Sequence, residues 1–333
     1  MITKFKNNWT KWHHIFHKSI LADKTFIPND SHLLVSVSGG QDSMALLTLL
    51  DDIKEQHNWS LSVWHGDHQW HQDSNSFANK LQNYCLEKKI IFYLDLAEGV
   101  DVSTEEKARV WRYKKLSDKA SEIISNNQIH EKIHIVTGHT SSDNTETFLL
   151  NLARGSDFAG LGGIPKKRLL NKKFFLTRPI LIFSRNDTAA ICKDLKVPFW
   201  EDPSNSDTKL NRNFIRHKII NQLEKIYPGC SHRINKFIQR MRNHNEERLD
   251  LCELAITSCM HDDEIKRPIL NNLGVKARST VLHFILSKRC SKQINSKNID
   301  DLSEQIFKKE QGRQSFPNGM IIVWNKNFIQ IQS

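Results

Sequence analysis

Leu33-Leu34-Val35-Ser36-Val37-Ser38-Gly39-Gly40-Gln41-Asp42-Ser43 decides the fold. Leu33 to Val37 is a short, continuous apolar run, as expected of a buried strand. Met44, Leu47, Leu50 and Ile53 then recur at helical spacing. A Ser-Gly-Gly-Gln-Asp-Ser turn between strand and helix is an anion site in outline. Free N–H groups and the helix dipole favour negative charge there, and glycines let the backbone come close to a phosphate. Asp42 would repel that phosphate unless a cation lay between them, which points to magnesium. The segment is neither a GxxxxGK[ST] loop nor a GxGxxG fingerprint.

Outward from this stretch the alternation continues. Leu61–Trp64, Ile90–Leu96 and Ile133–Thr137 read as strands. Phe77, Leu81, Tyr84 and Cys85 share a helix face. Ser103 with Glu106 has the form of a capping box, opening a helix through Trp111 and Leu116. Another helix spans 143–153. This order predicts an α/β fold, a parallel sheet with helices on both faces, with ligands bound beyond the carboxyl ends of the strands. The basic run Lys166, Lys167, Arg168, Lys172 and Lys173 reads as a solvated loop. From about Asn213 the pattern becomes helical, over Phe214–Tyr227, Ile234–Met260 and Lys276–Arg289. Met320–Trp324 and Phe328–Ile331 form a hairpin pattern around Asn325 to Asn327. The expected division is 1–217 for nucleotide binding and catalysis, and 218–333 for a smaller helical domain ending in the hairpin.

The net charge of +11 favours a polyanionic partner such as nucleic acid. Arg233, Lys236 and Arg240 lie along one helix face, with Ile234, Phe237, Ile238 and Met241 available for packing, and suit phosphate tracking. Hydrophobic content of 38% and charged content of 26% exclude a disordered chain. No apolar run reaches the length of a membrane span, and Met1 to Lys18 has no apolar core of the secretory kind. Cys85, Cys192, Cys230, Cys252, Cys259 and Cys290 show no CxxC spacing, so reduced thiols are expected. His65, His68 and His71 have a metal-like spacing but no helix to gather them. Asp143 and Glu146, at i and i+3, share a helix face and suit magnesium or a lysine ammonium. Arg109 and Arg112 share another and suit phosphate charge.

Ser38–Ser43 resembles the SGGxDS loop of the ATP-pyrophosphatase superfamily. Further elements are similar to those of the tRNA(Ile)-lysidine synthetase family, in family order. They are Gly66-Asp67-His68, Ala108-Arg109 with Arg112-Tyr113, and Thr137-Gly138-His139 with Asp143, Glu146 and Thr147. Arg154-Gly155, Gly160-Leu161, Arg178-Pro179-Ile180-Leu181 with Ser184-Arg185, Glu201-Asp202-Pro203-Ser204-Asn205, and Arg212-Asn213 with Ile215-Arg216 complete the set. It spans more than half of the chain. The likeness is strongest to the short cyanobacterial or plastid type, which lacks a second C-terminal domain. Departures are Gln69-Trp70-His71, where the family has Gly-Leu-Arg, and Thr140, where a second histidine is frequent.

The resemblance implies an adenine nucleotide alpha hydrolase-like fold and an ATP- and magnesium-dependent ligase. It would join lysine to the wobble cytidine of a CAU-anticodon tRNA(Ile) through an adenylated tRNA. ATP contacts would come from Ser38, Gly39, Gly40, Gln41, Asp42, Ser43, Asp67, His68, Gly138 and His139. Catalysis would rest on Asp42, Asp143, Glu146 and Arg212, and substrate binding on Arg109, Arg112, Asp143 and Glu146. A cytoplasmic or plastid-stromal location follows, and a homodimer stays open. Alternatives are a tRNA thiolase of the same superfamily and a non-catalytic RNA-binding protein.

Overall fold

The computed structural model describes residues 9–70, 74–127, 132–171, 173–200, 211–289, 295–316 and 319–332. His71, Lys172, Cys290 and the Glu201–Asn205 element lie outside them. The chain divides into two compact units, Met1–Met241 and Arg242–Ser333.

In the first unit, α1 (Lys11–Leu21) leads into β1 (Ser31–Ser36), α2 (Gln41–His57), β2 (Ser60–Asp67) and α3 (Ser74–Glu87). Next come β3 (Ile91–Leu96), α4 (Glu105–Asn127), β4 (Lys132–Thr137) and α5 (Ser141–Ala153). The short α6 (Phe158–Leu161) precedes a hairpin of β5 (Lys167–Leu170) and β6 (Phe174–Thr177). Then follow α7 (Arg185–Asp194), α8 (Asn211–Phe214), a π-helical turn over Ile215–Ile220, α9 (Asn221–Ile226) and the start of α10 (Cys230–Cys259), whose residues from Arg242 belong to the second unit.

The sheet order is β3-β2-β1-β4-β6-β5, parallel throughout except for β5, which runs antiparallel to β6. Alternation along β1 fills both faces. Leu33 and Val35 pack in the layer of α1 and α2, and Leu34 in the layer of α4. Helix α2 buries Met44, Leu46, Leu47, Leu49, Leu50 and Ile53 completely. At about 1.5–3 kcal/mol each, this burial fixes the helix and the loop at its start. The chain builds outward through β1, β2 and β3, then returns to set β4 on the other side of β1. That reversal opens a crevice at the carboxyl ends of β1 and β4, the usual ligand position in such sheets.

Two expectations are corrected. The run Lys166–Arg168 is not a free loop, because Lys167–Leu170 pairs along Phe174–Thr177 and buries Leu170. Thr104, not Ser103, accepts the Lys107 N–H at the start of α4, while the Ser103 hydroxyl donates to Asp101. The 217/218 boundary read from the sequence precedes the division of the fold. The start of α10 stays with the first unit because Asn235 donates to Ser141 O and Thr145 Oγ1 of α5, and Ile238 is buried.

The second unit contains β7 (Met260–His261), β8 (Glu264–Lys266), α11 (Arg267–Asn271), α12 (Val275–Arg289), α13 (Ser296–Lys308), β9 (Gly312–Ser315), β10 (Ile321–Trp324) and β11 (Phe328–Gln332). The expected hairpin forms, with Trp324 opposite Ile329. It is the middle of an antiparallel sheet ordered β7-β8-β11-β10-β9. Leu282, Ile285, Leu302, Ile306, Ile322 and Trp324 share its core. Among the described residues no helix is long and apolar enough to cross a membrane.

Candidate active site

The Ser38–Ser43 loop leaves β1 and enters α2 at Gly40. Gly39 has φ +85°, a left-handed conformation that favours glycine, and its carbonyl accepts the Trp200 N–H at 3.0 Å. The loop is braced from within. Ser43 Oγ accepts the Ser38 N–H at 3.2 Å and donates to Gly40 O at 2.9 Å. Gly138, after β4, presses on the same turn. A Cβ there would lie 3.1 Å from Ser43 Cα and 3.2 Å from its nitrogen, so a larger residue would require the Ser43 backbone to give by a few tenths of an ångström.

The Gln41 side chain does not face the loop. It donates to Arg185 O at 2.7 Å and Thr188 Oγ1 at 2.8 Å, tying α2 to α7. Asp42 accepts the Thr188 hydroxyl and lies 3.4 Å from Arg185 Nε, an ion pair without hydrogen-bond geometry. Burial raises its carboxyl pKa, with Arg185 opposing.

Asp143 and Glu146, one turn apart on α5, are buried among three arginines. Asp143 Oδ2 accepts the Thr140 N–H at 2.8 Å and hydroxyl at 2.7 Å, capping the helix. Its Oδ1 lies 3.0 Å from Arg212 Nη2 and 3.3 Å from Arg185 Nη2. Glu146 is fully buried and accepts Arg212 Nε at 2.7 Å and Arg216 Nε and Nη2 at 2.6 and 2.9 Å. Arg212 also reaches Glu105 at 3.3 Å. Burial pushes the Asp143 carboxyl up, but Arg212 and Arg185 outweigh it and hold the pKa well below the usual range. The reciprocal field raises that of Arg212 against its own burial. Asp42, Asp143, Glu146 and Arg212 therefore belong to one charge network. Arg185 and Arg216 join it, although the sequence had placed them in matched elements without a site role.

At the end of β2, Asp67 is buried, with Oδ1 accepting the Gln69 N–H at 2.7 Å. Its Oδ2 and the Nε2 of His68, whose ring packs against Trp70 and Trp111, have no hydrogen-bond partner among the described residues. Such buried orphans ask for a completing ligand. Burial keeps His68 neutral, its pKa lowered to about 4, and His139 likewise at about 3. His139 Nδ1 lies 2.9 Å from the Thr137 hydroxyl. His65 is committed to Val37 O at 2.8 Å. On α4, Arg112 is half-buried with its pKa lowered by burial, and its charge acts on His68 and His139. Arg109 is exposed, over the Tyr113 ring. Arg233, Lys236 and Arg240 are all exposed on α10, and Arg233 also donates to Tyr227 O and Pro228 O.

Cys85, Cys192, Cys230, Cys252 and Cys259 are buried and unpaired. Burial raises each thiol pKa, that of Cys85 to about 12 and that of Cys192 to about 11. None is poised as a thiolate.

A nucleotide-type loop at a topological switch point, set beside a buried carboxylate–arginine network, defines an ATP-using enzyme fold, and the PP-loop domain family matches residues 10–223. Relatives extend the match over the whole length. The tRNA(Ile)-lysidine synthase of Prochlorococcus marinus subsp. pastoris is 51% identical over 98% of this chain and 97% of its own. The chloroplastic tRNA(Ile)-lysidine synthase of Pyropia yezoensis is 30% identical over 85% and 82%. Among solved structures, the U34-tRNA thiolase of Methanococcus maripaludis shares the fold, with TM-score 0.56 and 18% identity over 70% of this chain and 78% of its own. The chain belongs to the tRNA(Ile)-lysidine synthase family of PP-loop proteins.

Proposed function

We propose that this chain joins L-lysine to C2 of the wobble cytidine of a CAU-anticodon tRNA(Ile), using ATP. The observation that carries this reading is the meeting of the Ser38–Ser43 loop with Asp143 and Glu146 at the β1/β4 crevice, in a chain that matches lysidine synthases from end to end. The C2 oxygen of the cytidine attacks the α-phosphorus of ATP, and pyrophosphate leaves. The lysine ε-amine then attacks C2, loses a proton, and the oxygen departs with AMP. Oxide is too poor a leaving group for an amine to expel directly.

Positioning and charge neutralisation dominate such chemistry. Backbone N–H groups at the start of α2 and the Ser38 hydroxyl hold the pyrophosphate end. Asp42 is suited to magnesium, since that ion commonly takes one or two carboxylates with substrate phosphates and water. Its side chain stays partly exposed at the loop, which fits. Magnesium bound there would offset phosphate charge. Asp67, His68, Gly138 and His139 line the nucleotide side. Asp143 and Glu146 receive the lysine ammonium when Arg185, Arg212 or Arg216 yields, so the arginines serve as internal stand-ins for the incoming cation. Arg109 and Arg112 neutralise phosphate. Arg233, Lys236 and Arg240 track the tRNA backbone, and the C-terminal unit from Arg242 serves tRNA binding as well. The cytoplasm, or a plastid stroma, suits this activity.

A thiolase reading shares the fold but needs reactive sulfur, which the buried, weakly acidic cysteines disfavour. Incubating the protein with Mg-ATP, lysine and CAU-anticodon tRNA tests the proposal. AMP and pyrophosphate should appear, and one cytidine should gain the mass of lysine less one water. Sulfur incorporation, or unchanged RNA with folded protein, overturns it.

A further inference from the structure

Four arginines gather at the carboxyl end of β6. Arg109 and Arg112 come from α4, Arg168 from β5, and Arg178 from the residue after β6. The pairing of Lys167 with Thr177 brings Arg168 and Arg178 to the same end of the sheet. Tyr113 is at their centre. The guanidinium of Arg168 lies 5.1 Å from its ring centroid and that of Arg109 5.6 Å. The charges of Arg178 and Arg109 also act on the phenol and lower its pKa against its own burial. Arg178 is only 2% exposed and donates to Pro165 O at 2.7 Å, and its Nε has no partner among the described residues.

Among the described residues none of these four forms an ion pair, whereas Arg185, Arg212 and Arg216 all do. Gathering cations around a phenol with no ion-paired carboxylate among the described residues is unfavourable in isolation, and an anion would relieve it. Planar guanidinium forks suit phosphate oxygens. β5 stands three strands from β1 in the sheet, about 14 Å at the usual strand spacing. The outer members, exposed Arg109 and half-buried Arg168, are open to a macromolecule.

We propose that Arg109, Arg168 and Arg178, linked through Tyr113, bind a backbone phosphodiester of the RNA substrate near the nucleotide being modified. This rests on the tRNA reading above. Arg168 and Arg109 contact the phosphate, and buried Arg178 positions Tyr113 and supplies field.

The test is a titration of CAU-anticodon tRNA at several salt concentrations with wild type, Arg168→Ala, Arg168→Lys and Arg109→Ala/Arg168→Ala, with ATP binding measured in parallel. Arg168→Ala should lower the salt slope by about 0.7–0.9, and the double variant by about twice that. Arg168→Lys should keep the slope but bind less tightly, having lost the fork. ATP affinity should stay within about twofold, below the 1.4 kcal/mol of a tenfold change, and thermal unfolding should show all variants folded. An unchanged slope in the double variant overturns the site even if wild type makes lysidine. Weaker ATP binding at an unchanged slope assigns the cluster to the nucleotide instead. Folded wild type with no salt-dependent tRNA binding overturns this site and the tRNA reading together.

Discussion

Glu146→Gln tests the charge network most sharply. The side chain is fully buried and accepts three hydrogen bonds, at 2.7 Å from Arg212 and at 2.6 and 2.9 Å from Arg216. The substitution keeps the volume, removes one negative charge and turns an amide N–H₂ toward a guanidinium. Removing one partner of a buried ion pair costs about 3–5 kcal/mol. Among the described residues Arg212 keeps Asp143 at 3.0 Å and Glu105 at 3.3 Å, whereas Arg216 keeps Asp143 alone, at 3.8 Å. The loss should therefore fall near the lower end, about 3 kcal/mol. At about 2–4 °C per kcal/mol for a unit of this size, Tm should drop by about 6–12 °C. Thermal unfolding followed by circular dichroism reads this directly. Adding Arg216→Met to Glu146→Gln should recover part of the loss, because the uncompensated cation is then gone. A Tm for Glu146→Gln equal to or above that of wild type would refute the reasoning. Glu146 would then be held against its own stability for the substrate alone.

Asp42→Asn should lower turnover by roughly 10²–10³ with little change in Tm, and near-normal turnover at saturating magnesium would remove Asp42 from the metal role. Gly138→Ala would set a Cβ against the backbone of Ser43. It should cost about 1–3 kcal/mol and at least about tenfold in ATP affinity, and an unaltered nucleotide titration would contradict the contact. His139 has its pKa lowered from 6.5 to about 3 by burial. Below pH 6.5 the unfolded chain takes up a proton there that the folded chain refuses. Stability should thus fall as pH drops, by up to about 1.4 kcal/mol per pH unit from this group. Urea unfolding at several pH values should show a shallower fall for His139→Gln, and an identical profile would contradict the assignment.

The core of the α/β sheet was legible because each strand is a compact apolar run and each functional loop follows one directly. Ser38–Ser43, Asp67-His68 and Gly138-His139 fall at the carboxyl ends of three neighbouring strands. β5 was hidden because Lys166-Lys167-Arg168 reads as solvated charge. Its pairing depends on Phe174–Thr177, a partner that local pattern does not announce. Arg185 and Arg216 escaped notice as site residues for a related reason. In sequence they are two arginines among many cations. Their convergence on Asp143 and Glu146 depends on where α7 begins and on the π-helical turn at Ile215–Ile220, both set by tertiary packing. The tie that Gln41 makes from α2 to α7 was hidden likewise, since its partners lie far along the chain.

The central claim is that the cytidine oxygen is activated by adenylation and leaves with AMP. A CAU-anticodon tRNA carrying ¹⁸O at the C2 oxygen of the wobble cytidine, incubated with the protein, Mg-ATP and lysine, follows that oxygen directly. The account predicts one ¹⁸O in the AMP released for each lysine joined, with pyrophosphate unlabelled. Label that stays in the RNA or passes to water while lysine is joined would contradict it.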